Sequence, residues 1–170
     1  AEAIGYAMTA GGIAGLLATL PSGIVVDASA RKRAIIAVAA LLIMAGTLLL
    51  WFFPGSLMVY ASQVATGISA AFIGPAMAGL TLGLVGQKRF AHQLGRNEAY
   101  NHGGNMLSAL LAGVASWYWG IGAVFLLMLV MAFGALMAVL AIREKDIDHR
   151  VARGLNPEEA LGEIPSLFTL

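Results

Sequence analysis

The segment GIVVDASARKR, residues 23–33, decides the fold, because a long apolar run meets its first charges there. No charged residue occurs in residues 3–26, and Asp27 comes next. Three bases follow: Arg31, Lys32 and Arg33. A helix crosses the hydrocarbon core of a bilayer with about 20 apolar residues. An uncharged run of this length that ends in a basic cluster is typical of a membrane-spanning helix emerging into water.

The composition of the whole chain indicates an integral membrane protein. Of the 170 residues, 59% are hydrophobic and 11% are charged, whereas soluble domains have roughly 25% charged residues. A soluble fold of this size has no means of burying so much apolar surface. The absence of cysteine excludes disulfides and thiolate metal sites. The net charge of +1 does not by itself decide on nucleic acid; we expect no nucleic-acid partner, metal or cofactor.

The uncharged runs predict an all-α, polytopic transmembrane bundle over residues 1–142. Residues 34–87 form one long uncharged run that is broken at Pro54-Gly55-Ser56, and residues 99–142 form another that is broken around 116–120. Proline and glycine at such a break cannot readily continue a helix. The five predicted spans are residues 3–26, 34–53, 57–87, 99–116 and 120–142.

The positions of the basic residues support five crossings. All ten Lys and Arg residues occur in three segments, 31–33, 88–96 and 143–153, which five spans place on one side of the membrane. By the positive-inside rule this side is cytoplasmic. The three tryptophans lie near the opposite face, as an interfacial aromatic belt does: Trp51, Trp117 and Trp119. The sequence therefore predicts a protein of the lipid bilayer, in a bacterial inner membrane, with its basic loops in the cytoplasm.

The loop after the first span resembles the loop between helices two and three of the major facilitator superfamily. In that family the loop reads approximately G-x-x-x-D-R-x-G-R-[RK]. Four positions match: Gly23, Asp27, Arg31 and Lys32. Two positions depart from the usual Arg and Gly: Ala28 and Ala30. The order of helices and the charge layout keep the family's register along the whole chain.

This resemblance implies an organisation for the chain. The five spans would be helices two to six of a six-helix amino-terminal half, and residues 143–170 would be the cytoplasmic connector to the second half. The first helix and the second six-helix half would then lie outside this chain, as its partners within the same protein. The start Asn156-Pro157-Glu158-Glu159 is typical of a helix N-terminus, so the connector is predicted to hold either a short amphipathic helix or a solvated linker.

The same resemblance implies secondary active transport of a small-molecule substrate by alternating access, with proton coupling. The loop would act as a cytoplasmic latch that breaks and forms again during the cycle; its residues are Gly23, Asp27, Arg31, Lys32 and Arg33. Asp27 and Arg31 are four residues apart, so a helical turn would let them pair. The alternative is that these charges only fix the orientation of the chain in the membrane.

A second polar stretch, RNEAYNHGGN at residues 96–105, interrupts the fourth predicted span. Four side chains follow the spacing i, i+3, i+4, i+7 of one helical face: Glu98, Asn101, His102 and Asn105. Polar groups at membrane depth face protein or a water-filled cavity. Three interpretations stay open: a path for substrate or protons, a contact of Glu98 with Arg31 in the latch, or a helix end in the headgroup region.

Small and neutral polar residues suggest further contacts between spans. Gln63, Thr66 and Gly67 form a candidate cavity wall, although such side chains also hydrogen-bond to their own helix. The family often has R-x-x-x-G here, and this chain has Gln63-x-x-x-Gly67, without the arginine. Two glycine pairs are predicted to let helix backbones approach closely: Gly11-x-x-x-Gly15 and Gly79-x-x-x-Gly83.

Two other classes of protein remain as alternatives to a transporter. One is a non-transporting membrane anchor or assembly subunit, which would have no solvent-accessible cavity between its spans. The other, less favoured, is a membrane enzyme, which would need a polar catalytic cluster in a dry cleft. The sequence contains no such cluster, so we predict no catalytic residue.

Overall fold

The computed structural model describes residues 2–154, and these residues form a bundle of five long helices. The helices are α1 (Glu2–Ala28), α2 (Lys32–Phe52), α3 (Ser56–Val85), α4 (Gln87–Trp119) and α5 (Gly122–Ala141). Two short 3-10 turns follow, at Glu144–Asp146 and Val151–Arg153. The all-α transmembrane bundle predicted from the sequence is confirmed.

Four of these helices, α1, α2, α3 and α5, are long and apolar enough to cross a membrane. Helix α4 is not among them, although it has 33 residues, because charged and amide side chains occupy much of its first half. Residues 88–96, which the sequence predicts as a loop between spans, are helical and belong to α4. The crossing of α4 through residues 99–116 stays a prediction.

The breaks between the helices fall at glycine and proline. Helix α2 ends just before Pro54-Gly55, as predicted. Gly86 (φ +71°) separates α3 from α4, and Gly120 (φ +79°) ends α4. Both lie in a region of backbone conformation that glycine adopts without the steric penalty of a Cβ atom. The turn at Gly86 is a single residue, and this is why the basic segment after it continues directly as helix.

Helices α1 and α3 pack with their backbones in contact. A Cβ atom added to Gly67 of α3 would overlap the carbonyl oxygen of Gly11 in α1, and one added to Gly15 would lie 3.1 Å from the carbonyl oxygen of Gly67. The close approach predicted for the Gly11-x-x-x-Gly15 pair is therefore confirmed. This close contact depends on a third glycine, Gly67, which lies on the partner helix α3.

One end of the bundle carries the three basic segments; we call it the basic end. There α1, α3 and α5 finish, α2 and α4 begin, and the connector segment (residues 143–154) folds back over the helix ends. A cluster of buried apolar side chains joins the connector segment to the bundle: Val26, Ile36, Ala76, Leu80, Ile147 and Ala152. The amphipathic helix predicted from Asn156 onward lies outside the described residues.

The second glycine pair, Gly79 and Gly83, makes room for this connector segment. A Cβ atom added to Gly83 would lie 2.8 Å from the Cβ atom of Ala152, and the amide of Asp148 donates a hydrogen bond to the Gly83 carbonyl (3.0 Å). A Cβ atom added to Gly79 would meet the side chain of Lys32. The prediction of a helix–helix contact at Gly79-x-x-x-Gly83 is wrong, because these glycines make room for a lysine side chain and a non-helical segment.

Candidate functional site

A cavity of about 440 Å³ lies between α2, α3, α4 and α5; we call it the four-helix cavity. Helices α2, α3 and α5 contribute only apolar side chains and glycine to its wall. The polar part of the lining comes from α4, through Asn97, Glu98 and Asn101. One face of this cavity therefore combines a carboxylate with amide groups, while the other three sides are apolar.

Hydrogen bonds along α4 hold these polar side chains. The Asn101 amide donates to Oε2 of Glu98 at 3.3 Å, and the Asn105 amide approaches Oδ1 of Asn101 at 3.5 Å. His102 is exposed, and its side chain makes no hydrogen bond within the described chain. Of the four residues predicted on this face, Glu98 and Asn101 line the cavity, Asn105 lies next in line, and His102 stands apart.

Asn97 is a lining residue that the predicted face missed. Its amide donates to Oγ1 of the buried Thr81 in α3 (3.0 Å), and its Oδ1 accepts a hydrogen bond from the Gln93 amide (2.9 Å). The missed signal was a spacing of four along α4, which is close to one helical turn: Gln93, Asn97, Asn101 and Asn105. This row of amides connects α4 to α3 and supports the cavity lining.

The predicted cavity wall of Gln63, Thr66 and Gly67 occupies a different place. These residues line an open groove of about 470 Å³ between α1 and α3, opposite Gly11 and Gly15. This groove and the four-helix cavity share no lining residue. The two polar regions predicted from the sequence therefore belong to two separate concave surfaces.

Among the five predicted latch residues, Asp27 and Arg31 do not pair with each other in this structure. Helix α1 ends at Ala28, so the helical turn that would align them is absent. Asp27 and Arg31 are both exposed, and no ion pair joins them within residues 2–154. Gly23 has open space where a Cβ atom would stand. Glu98 likewise forms no ion pair with Arg31 in this part of the chain.

The other two bases anchor the loop instead. Lys32 is only 3% exposed, and its Nζ donates to the carbonyl oxygens of Val26 (2.6 Å) and Ser29 (3.2 Å). Carbonyls at a helix C-terminus have no partner within the helix, so this ammonium caps the end of α1. Arg33 donates from its guanidinium to the carbonyl oxygen of Ile142, just after α5. The first turn of α2 thus ties together the ends of α1 and α5.

Metal binding finds no support in the part of the chain that the structure describes. Residues 2–154 contain no group of three or more His, Asp or Glu side chains close enough to hold a metal ion. The chemistry available at the four-helix cavity is that of a carboxylate and neutral amides. Such a set binds and releases protons and forms hydrogen bonds with polar solutes.

Comparisons with known proteins agree with this architecture. A family model described as Major Facilitator Superfamily matches residues 1–168. Two proteins of Mycobacterium tuberculosis, one from strain CDC 1551 / Oshkosh and one from strain H37Rv, are both named as uncharacterized MFS-type transporters, and each is 38% identical to this chain over 170 residues. The match covers 98% of this chain but 40% of each relative. No solved structure matches the chain significantly. The chain belongs to the major facilitator superfamily.

Proposed function

We propose that this chain is part of a secondary active transporter that moves a small solute across the membrane by alternating access, with proton coupling through Glu98. The observation that carries the proposal is the Glu98 carboxylate in the lining of an otherwise largely apolar cavity between four helices. Glu98 is exposed among residues 2–154, and an ionisable residue at membrane depth usually marks an ion or substrate path.

The size and lining of the cavity suit this role. Ligand pockets commonly measure about 300–1,000 Å³, with apolar walls and a few placed polar groups. The four-helix cavity has about 440 Å³ and takes its polar groups from α4 alone. Protonation of Glu98 would remove a charge from the cavity lining, and it would change the hydrogen bond that the carboxylate accepts from Asn101. A proton can therefore bias which state of the cavity is stable.

The proton role is tested with the full-length protein in proteoliposomes that contain a pH-sensitive dye. We expect one class in a panel of small solutes to drive proton flux in the wild type. Glu98→Gln should abolish solute-driven proton flux and flatten the pH dependence of solute uptake. His102→Gln is the control on the same helix, and it should leave both measurements unchanged. An unaltered pH profile in Glu98→Gln would refute proton coupling through this carboxylate.

We further propose that the protein lies in a bacterial inner membrane with its basic end in the cytoplasm. The distribution of all ten Lys and Arg residues supports this orientation. The chain has no native cysteine, so single cysteines report the orientation directly. Ser29→Cys at the basic end and Ser56→Cys at the other end should label from opposite sides of an oriented membrane. Labelling of both from one side would contradict this topology.

The crossing of α4 is tested in the same way. Lys88→Cys lies at the start of α4, and Ile121→Cys lies just after its end. If α4 spans the bilayer, Lys88→Cys should label together with Ser29→Cys, and Ile121→Cys should label together with Ser56→Cys. Labelling of Lys88→Cys and Ile121→Cys from the same side would show that α4 does not cross.

A further inference from the structure

A second cavity, partly open, lies at the basic end between the start of α2 and the connector segment, and Leu80 of α3 and Leu140 of α5 complete its lining; we call it the basic pocket. Its volume is about 480 Å³. Arg31, Lys32 and Arg33 line it on the α2 side, and Glu144 and His149 line it on the connector side. It shares only Ala37 with the lining of the four-helix cavity, so it is a separate site.

The charges around the basic pocket are not balanced. Three bases face one acid in its lining. Lys32 is almost completely buried, and its ammonium has only carbonyl oxygens as hydrogen-bond partners. The nearby charges that act on this ammonium are Asp27, which is exposed and forms no ion pair with it among residues 2–154, and Arg153, which adds a further positive charge. A buried cation without an anionic partner is costly.

Two lining groups also have no side-chain hydrogen-bond partner within residues 2–154: the guanidinium of Arg31, which is exposed to solvent, and a buried ring nitrogen of His149. The Arg31 guanidinium makes no side-chain hydrogen bond or ion pair within residues 2–154, although it carries five N–H donors. Nδ1 of His149 is buried and has no hydrogen-bond partner in the described chain. Both residues line the same pocket, one from each wall. An excess of positive charge and a buried ring nitrogen without a partner therefore occur together at one pocket.

We propose that the basic pocket binds a phosphate group. Guanidinium groups match the oxygens of phosphate in geometry and form short, charge-assisted hydrogen bonds with them. A phosphate group would supply the anionic charge that Lys32 lacks, and it would accept hydrogen bonds from Arg31. The position of the pocket at a membrane end fits two sources of this group, the headgroup of an anionic lipid and a soluble phosphate.

Such a ligand would join the start of α2 to the connector segment, because the charged and imidazole side chains of the lining come from residues 31–33 and from the connector segment. Binding would therefore hold the connector segment in its docked position. This consequence does not depend on transport, and a failure of proton coupling through Glu98 would leave it untouched. The test accordingly measures binding and stability and needs no transport assay.

The experiment uses the full-length protein in nanodiscs, in two arms. In the first arm the nanodiscs contain only phosphatidylcholine, and inorganic phosphate is added. In the second arm the nanodiscs contain phosphatidylglycerol, and no phosphate is added. Native mass spectrometry counts retained lipids, and thermal unfolding measures stabilisation in both arms. Stabilisation in the first arm identifies a soluble phosphate, and retention of phosphatidylglycerol in the second identifies a lipid headgroup.

Two arginine variants make the test specific to the pocket. Arg31→Gln removes an exposed guanidinium that lines the pocket, and we expect about tenfold weaker binding in the arm that responds, as for the loss of one charged hydrogen bond. Arg89→Gln removes an exposed guanidinium on α4 that does not line the pocket, and binding should stay as in the wild type. Absence of binding in both arms, or an equal loss in both variants, would overturn the proposal.

Discussion

The basic end of the bundle and helix α4 differ in how they are held. At the basic end, side chains from α1, α2, α3 and the connector segment form one buried apolar cluster, and Lys32 and Arg33 fasten the helix ends. Helix α4 is the longest helix among residues 2–154, yet none of its residues is buried. A side-chain hydrogen bond from Asn97 to Thr81 ties it to α3.

This difference indicates that the basic end acts as a scaffold, whereas α4 presents a surface that is available for function. Close packing of apolar side chains fixes an element in one position, whereas an exposed hydrogen bond contributes only a little to stability. The polar side chains of α4 are oriented mainly by one another, so they can respond to a solute or a proton. We propose that parts of the protein outside this chain cover α4, since the curated relatives are more than twice as long as the matched region.

The largest effect is expected where two backbones touch, between α1 and α3. Gly67→Ala places a methyl group on the Gly11 carbonyl oxygen, and neither backbone can give way without separating the helices. Overpacking of this kind costs about 1–3 kcal/mol or more, so we expect a lower melting temperature and little monodisperse protein in detergent. Gly12→Ala is the matched control, because its methyl group meets open space. Equal yields for the two variants would contradict the close contact of α1 with α3.

A smaller effect is expected at the seat of the connector segment. Gly83→Ala brings a methyl group to 2.8 Å from the Ala152 side chain, but a short segment moves aside more easily than a helix. We expect a loss of about 1 kcal/mol and faster tryptic cleavage after Arg150 and Arg153, because the connector segment undocks more often.

Two further variants sharpen this prediction. Ala152→Gly added to Gly83→Ala removes the nearest clashing group and should slow cleavage in part, because the Asp148 carbonyl oxygen still lies 3.0 Å from the new methyl group. Gly95→Ala on α4 meets open space and should leave the cleavage rate unchanged. If Gly83→Ala is cleaved at the wild-type rate, the connector segment is not held by this contact.

A still smaller effect is expected on α4. Asn97→Leu leaves Oγ1 of the buried Thr81 without its donor, and an unmade hydrogen bond of this kind costs roughly 1 kcal/mol. Asn105→Leu is the control, since its hydrogen bond to Asn101 is long and exposed. We expect Asn97→Leu to have a lower melting temperature than the wild type, and Asn105→Leu to melt as the wild type does. Equal melting temperatures would mean that this bond does not hold α4 to α3.

Much of the fold was predictable from the sequence because membrane helices and their breaks follow simple physical rules. Uncharged runs located α1, α2, α3 and α5, and the turns at Pro54-Gly55 and Gly120 came where glycine or proline interrupts a run. Helix α4 extends beyond the predicted span of residues 99–116, because charge reports which residues avoid lipid, and residues 88–96 carry charges but are still helical.

The candidate sites were predictable only where one helix determines them. The spacing along α4 placed Glu98 and Asn101 on one face, and both line the four-helix cavity. The burial of Lys32 and the docking of Ala152 against Gly83 depend on segments far apart in the chain, and such contacts leave no periodic pattern in the sequence. Asn97 was missed because its partner Thr81 lies on another helix.

The smallest effect on stability is expected for Asp27→Asn, and it tests the latch that the family resemblance implies. Asp27 is exposed and forms no ion pair within residues 2–154, so the change should cost less than about 0.5 kcal/mol. Arg31→Ala should cost equally little, and the two changes should add in thermal unfolding, because the side chains do not touch in this structure.

A latch would appear only in the transport rate, since about 1.4 kcal/mol between two states changes their ratio tenfold. We therefore expect each variant of the full-length protein to fold normally and to transport several-fold more slowly, with less than additive slowing in the double variant if the residues meet in another state of the cycle. Wild-type transport rates in Asp27→Asn would leave Asp27 without a role in the cycle.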